Sequence, residues 1–387
     1  MSVPPKSLYV HIPFCERKCH YCAFNSYAGA PDATIDRYVE TLLLELGTLG
    51  SDLALETIYV GGGTPTALTG SQLDRLLGAI DVARSGPEPE WTVEMNPGTA
   101  DRDRLAALLS SGVNRISMGV QSLDPVRLKR LGRIHTPEDV TTTVSTLHDA
   151  GFGNVNLDLI YGQPDQSLSQ WLDDVSAIIA LEPEHLSLYA QQYEEGTVYT
   201  RARDLGKLGE CADEVVLEMF HAARDRLSEA GYELYEISNF ARPGRQSRHN
   251  LNYWRNEPYY GIGAGAYACV DDERRLNEPD PTRYVDRIAD EGHAVVERES
   301  LGSVETYVET LASGLRTKEG VDLDGLRART GFDPRQLHGE HLDRLATEGL
   351  AAVHDGHLTL TLAGLWILDT VMEPFLDGLP RDTAACA

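Results

Sequence analysis

The sequence predicts an α/β protein in which a partial (β/α)6 barrel is followed by a small C-terminal α+β domain of winged-helix type. Three observations lead to this prediction. Short β-rich runs alternate with helical stretches over the first 200 residues, and the later residues lose that rhythm. Polar and glycine residues cluster just after the β-rich runs. From about residue 300, several helical stretches are followed by two short strand-like runs.

Six β-rich runs are strand candidates. They are "SLYVHIP" (7–13), "TIYVGGG" (57–63), "WTVEMNP" (91–97), "RISMGV" (115–120), "VNLDLIYG" (155–162) and "HLSLYAQQ" (185–192). Amphipathic stretches such as 34–49, 70–83 and 171–182 lie between them. Strands separated by helices form βαβ units with right-handed crossovers, so the six strands should build a parallel sheet. Active sites of βα-barrels lie at the carboxyl ends of the strands, and we therefore expect functional residues in the loops that follow them.

The remaining chain divides into two predicted units. Residues 201–298 contain a long helix near 211–231, a hairpin-like "YELYEISNFA" and the motif "HNLNYW", and we expect them to associate with the barrel of residues 1–200. Residues 299–387 combine helices with two short runs around "DG", which predicts a winged-helix-like domain. Such domains often bind DNA, but the net charge of −26 argues against nucleic acid as a partner. A docking or lid role is therefore predicted for this domain.

Composition and the N-terminal residues bear on location. No window approaches the roughly eighteen uninterrupted apolar residues of a membrane-spanning helix. The segment "MSVPPKSLYV" lacks an apolar core and a small-residue cleavage site, so no secretory signal is expected. These features predict a cytoplasmic protein. In a reducing compartment, clustered cysteines favour metal ligation over disulfides.

Three of the six cysteines, Cys15, Cys19 and Cys22, lie close together directly after the first predicted strand. Thiolates are soft ligands that suit zinc or an iron–sulfur cluster. A structural zinc site would need a fourth ligand, for which His11 and His20 are the nearby candidates. From the residues alone, the alternatives are zinc, an iron–sulfur cluster with one iron left open, or three buried thiols.

The motif C-x3-C-x2-C after the first strand of such a barrel resembles the radical S-adenosylmethionine (SAM) superfamily. The resemblance implies a partial (β/α)6 radical SAM barrel in which Cys15, Cys19 and Cys22 hold a [4Fe–4S] cluster. It further implies that the fourth iron chelates SAM, and that reductive cleavage of SAM yields a 5′-deoxyadenosyl radical. The absent fourth cysteine then leaves the iron position that SAM fills.

The same resemblance implies SAM contacts in the loops after the later strands. In "GGGTPT" (61–66), Gly62, Gly63 and Thr64 would cradle the SAM amino group, because glycines permit close backbone approach. Otherwise this segment is a tight βα turn. The other candidate contacts lie in strand ends, in the following loops or beside the cysteines: Glu94, Gln121, Arg133, Asp158, Tyr9 and Tyr21. Without the resemblance, Glu94 is an isolated acidic residue and both tyrosines are core residues, whereas Asp158 within an apolar run costs stability unless it is paired.

Beyond this motif, the whole chain resembles the oxygen-independent coproporphyrinogen III oxidase group. The matching blocks are "SLYVHIPFCERKCHYCAFNS", "YVGGGTPT", "SMGVQS", "NLDLIYGQP" and "HNLNYW". The oxidase branch carries a fourth cysteine where this sequence has Phe24, and a long segment where about six residues precede the first strand. With "CHYCAF" and "HNLNYW", the chain resembles instead the HemW branch, whose members are haem chaperones. The alternatives are coproporphyrinogen III oxidation and another radical SAM reaction on a tetrapyrrole, so whether the chain is an enzyme stays open.

The motif "HNLNYW" (249–254) is the predicted haem element. Histidine is a common axial ligand of haem iron, and we expect His249 as the ligand, with Asn250, Tyr253 and Trp254 shaping the pocket. A lone histidine beside aromatic residues is otherwise a satisfied core or surface residue. The implied cofactors are thus a [4Fe–4S] cluster, SAM and haem. The implied partners are haem and a haem-acceptor protein such as a respiratory enzyme, with peripheral membrane association and a homodimer as further expectations.

Overall fold

The computed structural model describes residues 4–99 and 101–379, so residues 380–387 of the predicted C-terminal unit lie outside it. Six parallel strands form the centre of its largest sheet: β1 Ser7–Ile12, β2 Thr57–Gly62, β3 Glu90–Met95, β4 Arg115–Gln121, β5 Val155–Tyr161 and β6 His185–Ala190. Each strand pairs with the next one in the chain. The six predicted strands and their parallel arrangement are confirmed.

Each of these strands alternates apolar and polar side chains. In β1, Leu8, Val10 and Ile12 are fully buried in the apolar core, whereas Tyr9 and His11 lie on the opposite face and hydrogen-bond to each other. Successive side chains of a strand point to opposite faces, so this alternation separates an apolar outer face from a polar inner one. A sheet packed against core on both faces would show continuous apolar runs instead.

Helices pack on the outer face of the sheet and beside the cysteine loop, where Leu131 O accepts from His20 N and Tyr199 N donates to His20 O. They are α1 Asp32–Thr48, α2 Gly70–Ala83, α3 Arg102–Ser110, α4 Pro125–Leu131, α5 Pro137–Asp149, α6 Leu168–Ile179, α7 Val198–Asp204 and α8 Asp213–Glu229. Local sequence fixes where they begin: at α2, the Thr69 side chain accepts a hydrogen bond from the Gln72 backbone, and the Gln72 side chain accepts one from the Thr69 backbone. Such reciprocal caps satisfy backbone donors that the helix itself leaves unpaired.

The barrel is partial, because the sheet ends on two unpaired edges. Beyond β6 lie the antiparallel strands β7 Glu233–Leu234 and β8 Asn239–Ala241, which form the predicted hairpin. Beyond β1 lies the parallel strand β9 Tyr260–Ile262. The resulting order is β7-β8-β6-β5-β4-β3-β2-β1-β9. Helix α9, Arg248–Trp254, connects β8 to β9 and carries the motif "HNLNYW".

A separate antiparallel sheet follows the barrel. It contains β10 Tyr267–Val270, β11 Glu273–Asn277 and β12 Val295–Ser300, with helix α10, Pro281–Glu291, between the last two. The ring of Tyr284 on α10 lies 5.2 Å from that of Tyr38 on α1. This ring contact joins the segment to the barrel core.

The C-terminal residues form a small α+β unit with its own apolar core. Its helices are α11 Ser303–Gly314, α12 Leu323–Thr330, α13 Pro334–Leu337, α14 Gly339–Thr347, α15 Leu362–Trp366 and α16 Leu368–Met372. Its strands β13 Val321–Asp322, β14 Ala351–His354 and β15 His357–Leu360 form an antiparallel sheet with β15 in the centre. The core includes Tyr307, Leu311, Leu358 and Phe375, apart from the barrel cluster. Helices followed by a β-hairpin agree with the winged-helix-like prediction. In the described part of the chain, no helix has the length and apolar character needed to cross a membrane.

Candidate functional site

The three clustered cysteines lie in the loop after β1, at the carboxyl edge of the parallel sheet. A short parallel ribbon of Phe14–Cys15 with Tyr27–Ala28 closes this loop on itself. All three thiols are half-buried. Cys15 Sγ lies 3.6 Å from Thr64 Oγ1, and Arg133 Nη1 donates to Cys19 Sγ at 3.5 Å. Polar side chains from two other loops thus contact the sulfur atoms of this loop.

Burial raises the pKa of the thiols of Cys15 and Cys22, so a free thiolate is disfavoured at both positions. A metal centre reverses this effect, because coordination deprotonates a thiol outright. The guanidinium of Arg133 adds a positive charge beside Cys19. These features suit sulfur atoms that carry negative charge only when a metal centre is bound.

The predicted SAM contacts gather around the same loop. A cavity of 110 Å³ lies among the cysteines. Its walls include all three cysteines and every predicted SAM contact except Tyr9: Cys15, Cys19, Cys22, Tyr21, Gly62, Gly63, Thr64, Glu94, Gln121, Arg133 and Asp158. Residues from six separate strands or loops therefore line one cavity, as expected when the carboxyl ends of parallel strands lie at one edge.

Tyr9 lies elsewhere. Its hydroxyl bonds to His11 Nδ1 at 2.8 Å, and its ring stacks on that of Tyr59 with 6.2 Å between centroids. Both residues belong to the inner face of the sheet. The structure thus places Tyr9 in the interior of the barrel, away from the cavity that the cysteines line.

Glycines are required where β2 meets the cysteine loop. The backbone of Gly63 donates to Ile12 O at 2.8 Å, and that of Thr64 donates to Phe14 O at 2.8 Å. A Cβ atom added at Gly63 would lie 2.6 Å from Phe14 O, and Gly62 has a φ of +112°. Only glycine accommodates both the close backbone approach and the positive φ.

Two half-buried carboxyl groups, those of Glu94 and Asp158, line the cavity. Glu94 accepts hydrogen bonds from Tyr59 Oη at 2.7 Å and from Gly62 N at 3.0 Å, and burial raises its pKa to about 7. Asp158 accepts from Asn156 Nδ2 at 2.7 Å, and burial raises its pKa as well. Carboxyl groups with raised pKa values are typical of binding and catalytic sites.

Gln121 occupies a strained position at the end of β4. Its φ is +71°, and the pairing of β4 with β5 shifts register between Gly119 and Gln121. Its Oε1 atom is buried and has no partner among the described residues. A strained backbone that presents an unpaired polar atom to a cavity is typical of a functional site.

Asn96 belongs to the site but was missed by the sequence analysis. It accepts a hydrogen bond from Arg133 Nη2 at 2.7 Å and donates to Thr64 Oγ1 at 2.9 Å, so it links two predicted SAM contacts. The available signal was its place in "VEMNP", directly after β3, where the parallel order brings polar residues to the site edge.

Two histidines were candidates for a fourth zinc ligand, and His20 bonds to Arg130 O through its Nδ1 at 2.9 Å. His11 uses both ring nitrogens, Nδ1 with Tyr9 Oη and Nε2 with Asn25 O, each at 2.8 Å. Within residues 4–99 and 101–379, no three side chains of His, Cys, Asp or Glu are arranged to hold a single metal ion. The donor set at this edge is three soft thiols around a cavity, which fits an iron–sulfur cluster.

A second, larger cavity of 500 Å³ occupies the interior of the barrel. It adjoins the cysteine cavity, since Tyr21, Cys22, Glu94, Gln121 and Asp158 line both. Its remaining lining comes largely from the inner faces of β4, β5 and β6, together with Ser247 and Asn250. Its volume lies within the range of small-molecule sites.

Phe24 lies at the junction of the two cavities. Its side chain lines both of them and is 70% exposed. Phe24 is thus placed to contact whatever enters the barrel from this side.

His249 is fully buried and has no free ring nitrogen. Its Nδ1 bonds to Thr57 Oγ1 at 2.8 Å and its Nε2 to Tyr253 Oη at 3.0 Å, and burial lowers its pKa to about 3. Its backbone N–H donates to Glu90 Oε1 at 3.0 Å. Axial ligation needs an unoccupied ring nitrogen, so the predicted iron ligand is not available in this conformation.

The other three predicted haem residues of the motif lie in different environments. Asn250 lines the barrel cavity. Tyr253 packs edge-on against Tyr259, with 4.7 Å between ring centroids, and Trp254 is half-buried at the end of α9. The structure therefore does not gather the four predicted haem residues into one pocket.

Comparisons with known proteins agree with this geometry. The model of the radical SAM superfamily matches residues 9–178, and that of the HemN C-terminal domain matches residues 304–367. The "Heme chaperone HemW" of Bacillus subtilis (strain 168) is 35% identical over 379 residues, covering 97% of this chain and 100% of that protein. The chain belongs to the HemW family. HemW of Escherichia coli (strain K12) is likewise 35% identical over 385 residues, with 97% of this chain and 99% of that protein covered.

The superfamily match implies that HemW proteins of this type carry a [4Fe–4S] cluster and use SAM. A solved structure of coproporphyrinogen III oxidase (HemN) from Escherichia coli, a radical SAM enzyme, matches with a TM-score of 0.83. It covers 97% of this chain and 91% of the other at 22% identity. At that identity the likeness concerns the fold, which confirms the partial barrel followed by a C-terminal domain.

Proposed function

We propose that the protein is a haem chaperone, which binds haem and transfers it to an acceptor protein. The observation that supports this most is similarity over 97% of the chain to proteins named as haem chaperones. The 500 Å³ cavity beside the cysteine loop offers space for a ligand inside the barrel. Phe24, where the oxidase group has a cysteine, favours the chaperone over coproporphyrinogen III oxidation.

In this proposal Cys15, Cys19 and Cys22 hold the [4Fe–4S] cluster. The residues proposed to contact SAM are those around the cysteine cavity: Tyr21, Gly62, Gly63, Thr64, Glu94, Gln121, Arg133 and Asp158, while Tyr9 supports them from within the barrel through the adjoining Tyr59. When bound, the cluster and SAM supply reductive cleavage of the SAM carbon–sulfur bond. The chain's own contribution is to orient the ligands: Gly62 and Gly63 allow backbone approach, and Arg133 offers a cation beside Cys19.

His249 remains the proposed haem ligand, with Asn250, Tyr253 and Trp254 around it, but only in a conformation in which α9 has moved. Ligation would exchange the hydrogen bond between His249 Nε2 and Tyr253 Oη for a bond to iron. Tyr253→Phe removes that competing hydroxyl and is expected to strengthen haem binding. His249→Gln is expected to shift the Soret band. A Soret band that keeps its position in His249→Gln would rule out the ligand role.

The remaining expectations concern partners and location. We propose a haem-acceptor protein as the partner, with the domain of residues 299–387 as a docking or lid element beside the barrel of residues 1–200 and the segment 201–298. A respiratory acceptor, peripheral membrane association, a homodimer and a cytoplasmic location stay predictions.

The central experiment combines binding, transfer and turnover. Protein reconstituted anaerobically with iron and sulfide is given stoichiometric haem and then apomyoglobin, with SAM and reductant present. We expect a stable Soret band, followed by formation of holomyoglobin. Parallel samples with coproporphyrinogen III should remain unchanged. Conversion of coproporphyrinogen III to protoporphyrinogen would favour the oxidase, and loss of the haem macrocycle would favour a degrading enzyme.

A further inference from the structure

The floor of the barrel cavity contains a buried arginine without a carboxylate partner. Arg115 begins β4, is 2% exposed and lines the 500 Å³ cavity. Its Nη1 donates to Asn154 Oδ1 at 2.8 Å and to Arg245 O at 3.4 Å, and its Nε has no partner in the described part of the chain. The guanidinium makes no ion pair with any Asp or Glu within residues 4–99 and 101–379.

An unpaired buried charge is unusual. Charged groups that leave water are normally paired, because the loss of hydration costs several kcal/mol per ion. Neutral oxygen atoms satisfy only part of the guanidinium, which carries five N–H donors. A carboxylate entering the cavity would supply the missing charge and accept from donors that are already oriented.

The side chains around Arg115 are polar, and the carboxylate of Asp158 is linked to them through Asn156 and stabilised by the charge of Arg115. Asn156 donates to Ser117 Oγ at 2.9 Å and accepts from His185 Nδ1 at 2.6 Å, while Tyr235 Oη bonds to His185 Nε2 at 2.8 Å. Burial, aided by the charge of Arg115, lowers the pKa of His185, which keeps its ring neutral. Arg115 is therefore the one permanent cation among the residues that line this cavity.

Three acidic residues line the barrel cavity: Glu94, Asp158 and Glu194. Glu194 follows β6 at the carboxyl edge of the sheet, whereas Arg115 begins β4 at the opposite edge. Glu94 and Asp158 line both cavities, whereas Arg115 lines only the barrel cavity. Burial raises the pKa of both carboxyl groups, that of Glu94 to about 7. An acidic ligand would therefore place its carboxylate at the Arg115 end and its neutral or cationic part towards the cysteine loop.

We propose that Arg115 is the anchor of a carboxylate-binding subsite at the floor of the barrel cavity. The ligand class is a carboxylate-bearing tetrapyrrole, whose propionate side chain reaches the guanidinium. This inference rests on the proposed haem function. It adds that the chain recognises a propionate group of the ligand, and that this group is held at the Arg115 end of the cavity.

The test compares haem with haem dimethyl ester, which has the same ring and iron but no carboxylate. Both are titrated into reconstituted wild-type protein by the change in the Soret band. We expect the ester to bind at least about tenfold more weakly, the effect of one lost hydrogen bond to a charged group. Arg115→Gln should bind haem and the ester within about threefold of each other, because the charge that discriminates between them is gone.

Arg248→Gln is the matched control. Arg248 is an exposed arginine two residues from Asn250, its guanidinium lies 3.5 Å from Glu56, and it does not line the cavity. This variant should keep the wild-type preference for haem. Loss of the preference in Arg248→Gln, or its survival in folded Arg115→Gln, would overturn the subsite.

A second variant covers the case in which Arg115→Gln does not fold. Asn250→Asp adds a negative charge to the cavity lining while the guanidinium stays in place. We expect it to weaken haem binding by at least about tenfold and ester binding by less than about threefold. Equal losses for the two ligands, or equal affinity of wild-type protein for both, would reject the subsite and leave the chaperone proposal standing. Failure of wild-type protein to bind either ligand would instead reject the chaperone proposal itself.

Discussion

The cysteine loop and helix α9 carry the two short motifs that identify this sequence, and the structure treats them in opposite ways. Cys15, Cys19 and Cys22 are half-buried and line one cavity together. On α9, His249 is fully buried and both of its ring nitrogens are hydrogen-bonded. The sulfur atoms of the loop line a cavity, whereas the candidate ligand on the helix, His249, is buried in the core.

The difference follows from position in the parallel sheet. The cysteine loop follows the carboxyl end of β1, where the loops of the other strands also converge. Helix α9 packs instead against Thr57 and Glu90, the first residues of β2 and β3, at the opposite edge. His249 and Tyr253 are four residues apart and therefore share the buried face of this helix. A histidine that the sequence suggests as a metal ligand can thus instead hold a helix against the sheet through its hydrogen bonds.

The largest expected effect is the loss of the cluster when one cysteine of the loop is removed. Cys19→Ala removes one of three thiol ligands, and we expect the protein to lose essentially all cluster iron and sulfide after anaerobic reconstitution. Iron and sulfide analysis with the visible absorption spectrum measures this. Cys211→Ala is the control, because Cys211 is half-buried and lines neither cavity. Full cluster content in Cys19→Ala would show that the loop does not hold the cluster.

The next largest effect concerns helix α9 and the contribution of His249 to the stability of the fold. His249→Ala leaves the Tyr253 hydroxyl without its partner and that of Thr57 with Ser7 Oγ alone, and it creates a cavity. We therefore expect the free energy of unfolding to fall by about 2–5 kcal/mol. Cluster content should stay at the wild-type level, since α9 lies at the other edge of the sheet. Urea unfolding together with iron analysis measures both quantities. Wild-type stability in this variant would mean that His249 does not fasten the helix.

The pH dependence of the same variant sharpens this test. Burial lowers the pKa of His249 from 6.5 to about 3, so its neutral form is the one that folds. The contribution of its hydrogen bonds is complete above pH 6.5 and falls as the pH drops towards 3, by up to about 1.4 kcal/mol per unit. Between pH 7.5 and 5.5, His249→Gln should therefore lose less stability than wild-type protein. Equal losses would indicate an accessible, titrating ring.

The smallest effect concerns the backbone that supports the loop. Gly63→Ala places a methyl group against Phe14 O, and we expect a loss of about 1–3 kcal/mol together with weaker SAM binding. Gly78→Ala is the matched control, because a Cβ atom there meets no neighbour and alanine favours the helix α2 by about 1 kcal/mol. Thermal unfolding and SAM titration measure the two effects. A stable Gly63→Ala variant with normal SAM affinity would remove the need for close approach at this position.

The sequence by itself determined the strand order and the edge at which the site lies. Strands separated by amphipathic helices favour parallel pairing through crossovers, and this order places the cysteine loop, "GGGTPT" and the residues after β3 to β5 at one edge. It also encoded a polar barrel interior, because polar and apolar residues alternate along each of the six strands. Periodicity is a local property, so it is readable without the fold.

Only the tertiary structure decided which polar groups have partners. The burial of His249 against Thr57, the bridge that Asn96 forms between Thr64 and Arg133, and the unpaired guanidinium of Arg115 all depend on contacts between distant parts of the chain. Such contacts are set by the register of neighbouring strands and by the docking of α9, neither of which leaves a pattern in one short stretch of sequence. The sequence gives the chemical type of each residue. Whether its polar atoms are available for binding or reaction depends on the partners that the fold places beside them.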